Sequence, residues 1–253
     1  MPAIAAKHIT VEYDGLQVLN NASFSVDPGE RVCIWGPSGS GKSTFLRILA
    51  GLEKASEGSV IVQGKAADMD NPRGIDPVRK ELGFVFQNSA LISNLSVFDN
   101  VALPLKYHRL GALDIIEDKV KKALNNMLVG EYATAFPHQL SLGIQKRVAI
   151  ARTLVLNPSI LLMDEPTAGL DHLNRVNLLA LLYNVCQLRK VTILMVTHDL
   201  EIPRELNAKV SILNHGKLST PMWLDDLLQT ESSFLDEIRE DLQLTSSVEN
   251  GFN

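Results

Sequence analysis

A chain of 253 residues suits one large domain, or one core carrying a smaller inserted subdomain. Its 45% hydrophobic, 6% aromatic and 21% charged residues set it apart from disordered chains. A net charge of −5 weighs against nucleic acid as the main partner, because phosphate backbones demand clustered Lys and Arg. Cys33 and Cys186 have no metal-ligand spacing and give no sign of a disulfide framework, so a reducing compartment is the default. Met1–Lys7 lacks the pattern of a secretory signal, and the apolar runs fall far short of the ~20 residues of a membrane span. Any membrane role is therefore expected to come through a separate partner chain.

Residues 7–13 alternate apolar and polar, predicting a half-buried strand, and Asp14-Gly15 marks a turn. A second strand-like stretch runs through Val18, Leu19, Phe24 and Val26. The turn Asp27-Pro28-Gly29-Glu30 leads into an apolar strand, Val32–Trp35, in which Cys33 reads as a small core residue. Gly36-Pro37-Ser38-Gly39-Ser40-Gly41-Lys42-Ser43-Thr44 follows and fits G-x-x-x-x-G-K-[ST] between that strand and a helix through Phe45–Leu49. Its glycines let the backbone curl so that successive N–H groups face phosphate oxygens, and the helix dipole favours the same anion. Lys42 suits the β- and γ-phosphates, and the Ser43 hydroxyl suits Mg²⁺. The chain is expected to bind a nucleoside triphosphate.

Gly51 reads as the stop of that helix, Gly58–Val62 as an edge strand, and residues 64–77 as a loop. A short helix over Val78–Leu82 and a strand over Gly83–Phe86 lead to Gln87. Helical periodicity then takes over, for example at Leu113, Ile116, Val120, Ala123, Leu124 and Met127. This predicts a helical subdomain over 89–157, inserted into an α/β core made of 1–88 and 158–220. The apolar strand Ile160–Met163 delivers Asp164 and Glu165 at its C-terminal end, where α/β sheets place ligands. Asp164 suits Mg²⁺, and Glu165 suits polarisation of an attacking water. A helix over His172–Arg189, a strand over Val191–Val196, a helix near Asp199–Leu206 and a strand over Lys209–Leu213 complete an alternation that implies a mostly parallel sheet. Residues 221–253 form an acidic extension, with Leu227, Leu228, Phe234, Leu235, Ile238 and Leu242 near helical spacing. Thr245–Asn253 reads as a disordered end.

Several motifs stand in one order around these two sites. Ser141-Leu-Gly-Ile-Gln-Lys-Arg-Val-Ala-Ile-Ala-Arg152 precedes the Asp164-Glu165 strand and resembles the L-S-G-G-Q signature helix of ABC-type ATPases. Gln87 resembles the glutamine loop of that family, Ala168-Gly-Leu-Asp171 its D-loop, and His198 its switch histidine. Tyr13 lies where the family places an aromatic ring against adenine. The resemblance covers about residues 7–220. It implies a RecA-like phosphate-loop core with a mostly parallel sheet, an antiparallel β edge and the helical insertion. It further implies ATP and Mg²⁺ as cofactors, with Gln87 joining Ser43 and Asp164 at the metal and His198 holding the γ-phosphate and the water. Head-to-tail homodimers are implied, in which Ser141 and Gly143 of one copy complete the ATP site of the other. Leu142 and Ile144 depart from the signature, standing where glycine and glutamine are usual. Leu142 is expected to crowd the dimer seam, and hydrolysis is still expected because Lys42, Asp164, Glu165 and His198 are present.

The resemblance places the chain peripherally on the cytoplasmic face of the inner membrane, beneath integral-membrane permease subunits. The apolar stretch Asn88–Leu105 looks like the ATPases of Mla-type phospholipid transporters, which work with an MCE lipid-binding protein and sometimes a STAS-type subunit. Ser233–Asp236 is compatible with a C-terminal extension by which such ATPases embrace. A lipoprotein-release or macrolide-exporter ATPase is the alternative within transport. A soluble or regulatory ABC nucleotide-binding module without turnover is the alternative outside it.

Overall fold

The computed structural model describes residues 1–68 and 78–229. Strands β3 (Arg31–Trp35), β7 (Ile160–Asp164) and β8 (Thr192–Thr197) are runs of buried residues, as strands covered on both faces must be. With β6 (Leu82–Val85), β9 (Lys209–Asn214) and β10 (Lys217–Leu218) they form a six-stranded sheet in the order β10-β9-β3-β8-β7-β6. All neighbours are parallel except β10, which turns back on β9. The register is nearly flush: Trp35 faces Thr197 on one side and Ile212 on the other, and Asp164 faces Val196.

A second, antiparallel sheet has the order β2-β1-β4-β5, from β1 (Ile4–Tyr13), β2 (Leu16–Val26), β4 (Glu57–Val62) and β5 (Lys65–Ala66). The stretch expected as an edge strand, Gly58–Val62, is thus an inner one. The two-residue β5, too short to show periodicity, pairs outside it within the expected loop. Residues 69–77 of that loop lie outside the described residues. Val78 and Arg79 are helical, and Leu82 already belongs to β6.

Helix α1 (Lys42–Leu49) lies between the sheets and buries Phe45, Leu46, Ile48 and Leu49. Phe24 meets Phe45 edge to face at 5.8 Å, a favoured aromatic geometry. Residues 86–159 hold no strand. They carry α2 (Val97–Tyr107), α3 (Leu113–Asn126) and α4 (Leu142–Leu154). Ile116, Val120, Ala123, Leu124 and Met127 are buried, whereas Leu113, at the first helical position, stands in solvent. The buried cluster runs from α2 and α3 through Val148, Ile150 and Leu154 of α4 onto Leu161, Met163 and Ile193 of the main sheet. Helix α5 (His172–Arg189) adds Leu178, Leu179 and Leu182 to it. Short helices α6 (Glu201–Glu205) and α7 (Leu224–Gln229) follow. Leu224 and Leu227 of α7 pack with Trp35, Val210 and Ile212. The expected features at Ser233–Asp236, Phe234, Leu235, Ile238, Leu242 and Thr245–Asn253 lie outside the described residues.

Asn100 fixes the chain entering α2. It is fully buried, accepts from Ile92 N–H at 2.8 Å and donates to the carbonyls of Ile92, Leu95 and Ser96 at 3.0–3.1 Å. Asn100→Ala leaves these main-chain groups unpaired, at about 1–3 kcal/mol for a buried orphan. The expected outcome is a urea midpoint lowered by a loss on the order of 3 kcal/mol with an unchanged slope.

Candidate nucleotide site

Because β6, β7, β8, β3 and β9 run parallel, the loops after four of them leave one edge of the sheet together. Residues 36–41 follow β3, His198 follows β8, Glu165 follows β7, and Gln87 lies two residues past β6. Residues as far apart in sequence as Gly36 and His198 are gathered by the strand register. This edge is where doubly wound sheets bind ligands.

The loop 36–41 turns tightly against its neighbours. A Cβ on Gly36 would sit 2.3 Å from the Leu213 carbonyl oxygen. Gly41, with φ +96°, caps α1, and a Cβ there would meet Val18 at 2.8 Å. Both positions exclude a side chain, so the main chain itself lines the turn. Lys42 is buried, and its Nζ donates to the carbonyls of Gly36 at 2.7 Å and Pro37 at 2.8 Å. Burial pulls the Lys42 ammonium below its ordinary range, and the Glu165 and Asp164 charges oppose that pull. Ser40 Oγ is buried without a partner, a polar atom that a bound phosphate oxygen would satisfy. Pro37, Ser38 and Gly39 complete the turn, with Gly39 at φ +78°. Ser43 and Thr44 lie in the first turn of α1.

Ser43 Oγ donates to Asp164 Oδ1 at 2.8 Å. Burial pushes the Asp164 carboxyl up, against the Ser43 bond and the Arg47 and Lys42 charges. Among the described residues no group of three or more His, Cys, Asp or Glu could enclose a metal. One hydroxyl and one carboxylate instead fit Mg²⁺, which keeps its waters and takes phosphate oxygens as ligands. Glu165 stands at φ +42°, an uncommon conformation for a residue with a side chain. Its Oε2 lies 2.9 Å from His198 Nδ1. The Glu165 side chain is largely buried and that of His198 largely exposed, so the carboxylate faces inward and the imidazole outward.

The remaining candidates fall in two groups. Gln87 has an exposed side chain beside the Asp164 strand, and its carbonyl accepts from Lys146 Nζ. Tyr13 is 44% exposed at the tip of the β1–β2 hairpin, whose Val18 abuts Gly41. Ser141, Gly143 and Asp171 are elsewhere, and the side-chain bonds of Ser141 and Asp171 stay within their own helix caps. Ser141 caps α4, accepting from Ile144 N–H at 3.4 Å. Asp171 caps α5, accepting from Asn174 N–H at 2.8 Å and from its Nδ2 at 2.7 Å. Asn174 lies against Gly143, and Leu142 Cδ2 would be 2.9 Å from a Cβ on Gly169. Leu142 therefore packs on the 168–171 turn of its own chain while staying 42% exposed. Ile144 is drawn against the main core.

Sequence reading missed four side chains here. Trp35 Nε1 donates to the His198 carbonyl at 3.0 Å. Arg175 meets Asp199 at 2.5 Å, Glu205 at 3.2 Å, and Glu201, tying α5 to the turn after His198. Lys146 and Arg152 of α4 reach the carbonyls of residues 87, 89 and 90. The one local signal was Lys146, a charge at helical spacing from the apolar Ala149 and Ile150.

The fold and the loop–hydroxyl–carboxylate set define a phosphate-loop nucleotide-binding protein. The sequence matches the family described as ABC transporter over residues 19–168, and the chain belongs to that family, carrying its ATP-binding domain. It is 39% identical to the methionine import ATP-binding protein MetN of Clostridioides difficile, over 85% of this chain and 67% of that protein. It is 37% identical to the sulfate/thiosulfate import ATP-binding protein CysA of Mesostigma viride, over 85% of this chain and 60% of that one. The chain thus spans about three fifths to two thirds of the length of these two relatives. A solved dimer of an ATP-binding cassette, in a post-hydrolysis state bound to ADP and Pi, superimposes with a TM-score of 0.80 at 33% identity. That match covers 87% of this chain and 98% of the other.

Since burial raises the Asp164 carboxyl, the folded chain holds that proton more tightly than the unfolded chain. The ionised side chain therefore costs stability as pH rises past the ordinary carboxylate range. Asp164→Asn is expected to raise the melting temperature in EDTA at pH 7. It is also expected to abolish the further rise that Mg²⁺ with nucleotide gives the natural chain, as scanning calorimetry would record.

Proposed function

We propose that the chain is the ATP-hydrolysing subunit of a membrane ABC transporter, working as a head-to-tail homodimer beneath a separate permease. The observation that carries this reading is the set at one sheet edge: Lys42 in the loop, Ser43 bonded to Asp164, and Glu165 paired with His198. The triphosphate would lie along the 36–41 turn with Lys42 on its β- and γ-phosphates, and Tyr13 offers a flat face for the base. Ser43, Asp164 and Gln87 would hold Mg²⁺, which screens the phosphate charge when bound. Glu165 accepts a proton from a water as its oxygen bonds to the γ-phosphorus. The bond from that phosphorus to the bridging oxygen breaks, leaving ADP and phosphate. His198, bonded to Glu165, holds the carboxylate on the water.

The dimer follows from the second group. Ser141 and Gly143 stand at the N-terminus of α4, a site suited to anions, away from their own phosphate loop. The similar cassette was solved as a dimer with ADP and Pi, which supports the same assembly here. A permease is supported by a groove of about 470 Å³ lined by Phe84, Phe86, Ile92, Leu103, Pro104 and Tyr107 among others. No helix of the described residues is long and apolar enough to cross a membrane, so attachment at the cytoplasmic face is proposed through that groove. The two relatives carry the names of methionine import and of sulfate/thiosulfate import proteins. They lend no support to phospholipid cargo or to MCE and STAS-type partners, a reading that rests on the sequence of residues 88–105 and of Ser233–Asp236.

Glu165→Gln is the decisive variant. The expected outcome is a fall of about 10²–10⁴-fold in phosphate release, with ATP affinity within a few-fold of the natural chain and a dimer that persists with ATP in light scattering. Phosphate release equal in the natural chain and the variant overturns the hydrolytic reading.

A further inference from the structure

Residues 87–90 leave β6 in a conformation that their own side chains do not hold. Ser89 and Ala90 sit at φ 62° and 46°, the left-handed region, though neither is glycine. Such positions persist where the surroundings impose them. Ser89 is 1% exposed, and its Oγ has no partner. What holds the segment is α4. Arg152 donates to the carbonyls of Ser89 at 2.8 Å and Ala90 at 2.7 Å. Lys146 donates to the carbonyl of Gln87.

Lys146 is the unusual member. It is 1% exposed, and its hydrogen-bond partner is a main-chain carbonyl, not a carboxylate. Burying an ammonium is costly unless its charge is compensated. Burial pulls Lys146 below its ordinary range, while the charges of Glu165 and Asp164 act to keep it protonated. Lys42 is under the same two influences, so the carboxylate pair stands in the field of two ammonium groups from different elements.

We propose that Lys146 is a positioning residue for hydrolysis: its bond to the Gln87 carbonyl locks the glutamine loop to α4 and presents the Gln87 side chain to the metal held by Ser43 and Asp164. This rests on the hydrolytic reading above. Through that bond, the helix whose first residues are to face a partner's nucleotide carries Gln87 with it. A displacement of α4 then becomes a displacement of a metal ligand in its own subunit.

The test uses the full chain with Lys146→Met, which keeps the apolar stem and removes the donor and the charge. In the nucleotide-free protein, hydrogen exchange over residues 86–92 should rise tenfold or more, while Thr192–Thr197 stays within twofold. The Mg²⁺ concentration for half-maximal ATPase should rise at least fivefold, with nucleotide binding in EDTA within twofold. Lys146→Arg, which keeps donor and charge, should return both readouts to within threefold of the natural chain. Unchanged exchange over 86–92 in Lys146→Met overturns the proposal, and so does raised exchange with unchanged Mg²⁺ dependence. Should Lys146→Met not fold, Lys146→Gln serves instead: its shorter reach should raise exchange over 86–92 at least threefold, and natural exchange there overturns the proposal. A natural chain that releases no phosphate overturns the hydrolytic reading, and the exchange measurement still decides whether Lys146 holds the loop.

Discussion

Ser43 and Asp164 are 121 residues apart in the chain and meet at 2.8 Å. They meet because β3 and β7 are both parallel neighbours of β8, in a register that ends Trp35, Asp164 and Thr197 at nearly one level. A slip along any of these pairs would separate the phosphate loop from its carboxylates. The buried, mostly apolar side chains on both faces of these strands hold them together, so the hydrophobic core supports the geometry of the polar site. The left-handed Glu165 lies just past this edge, where its carbonyl accepts from Ala168 N–H and starts the turn toward Asp171.

The phosphate loop and the Asp164-Glu165 strand were legible because each is a contiguous pattern whose chemistry is written in consecutive residues. The parallel sheet was legible for the same reason, from short apolar runs alternating with helical periodicity. What escaped was pairing across long separations. Arg152 and Arg175 are ordinary charged residues until the fold sets them against residues 89–90 and 199–205. β5 escaped because two residues cannot show alternation.

The N-terminus of α4 is joined to the core by contacts within its own chain. Asp171 holds Asn174, Asn174 lies on Gly143, and Leu142 covers Gly169. The side chain expected to crowd a partner thus spends part of its surface inside its own subunit. At 42% exposure the rest of Leu142 still faces outward, so the departure from the common signature adds an intramolecular contact without withdrawing the residue from the surface. Ile144, half-buried, packs against the core, and Gln145 beside it bonds to the carbonyls of Pro137 and Leu140. The start of α4 is therefore braced on both flanks.

Trp35 precedes the phosphate loop, bonds through its indole to the His198 carbonyl, and packs among Leu224 and Leu227 of α7. The chain has two tryptophans, and the other, Trp223, is 46% exposed at the start of the same segment. The protein therefore carries a built-in optical gauge. Emission from the buried indole reads the dryness and hydrogen bonding of the space behind His198, and emission from the exposed one reads solvent at the start of α7.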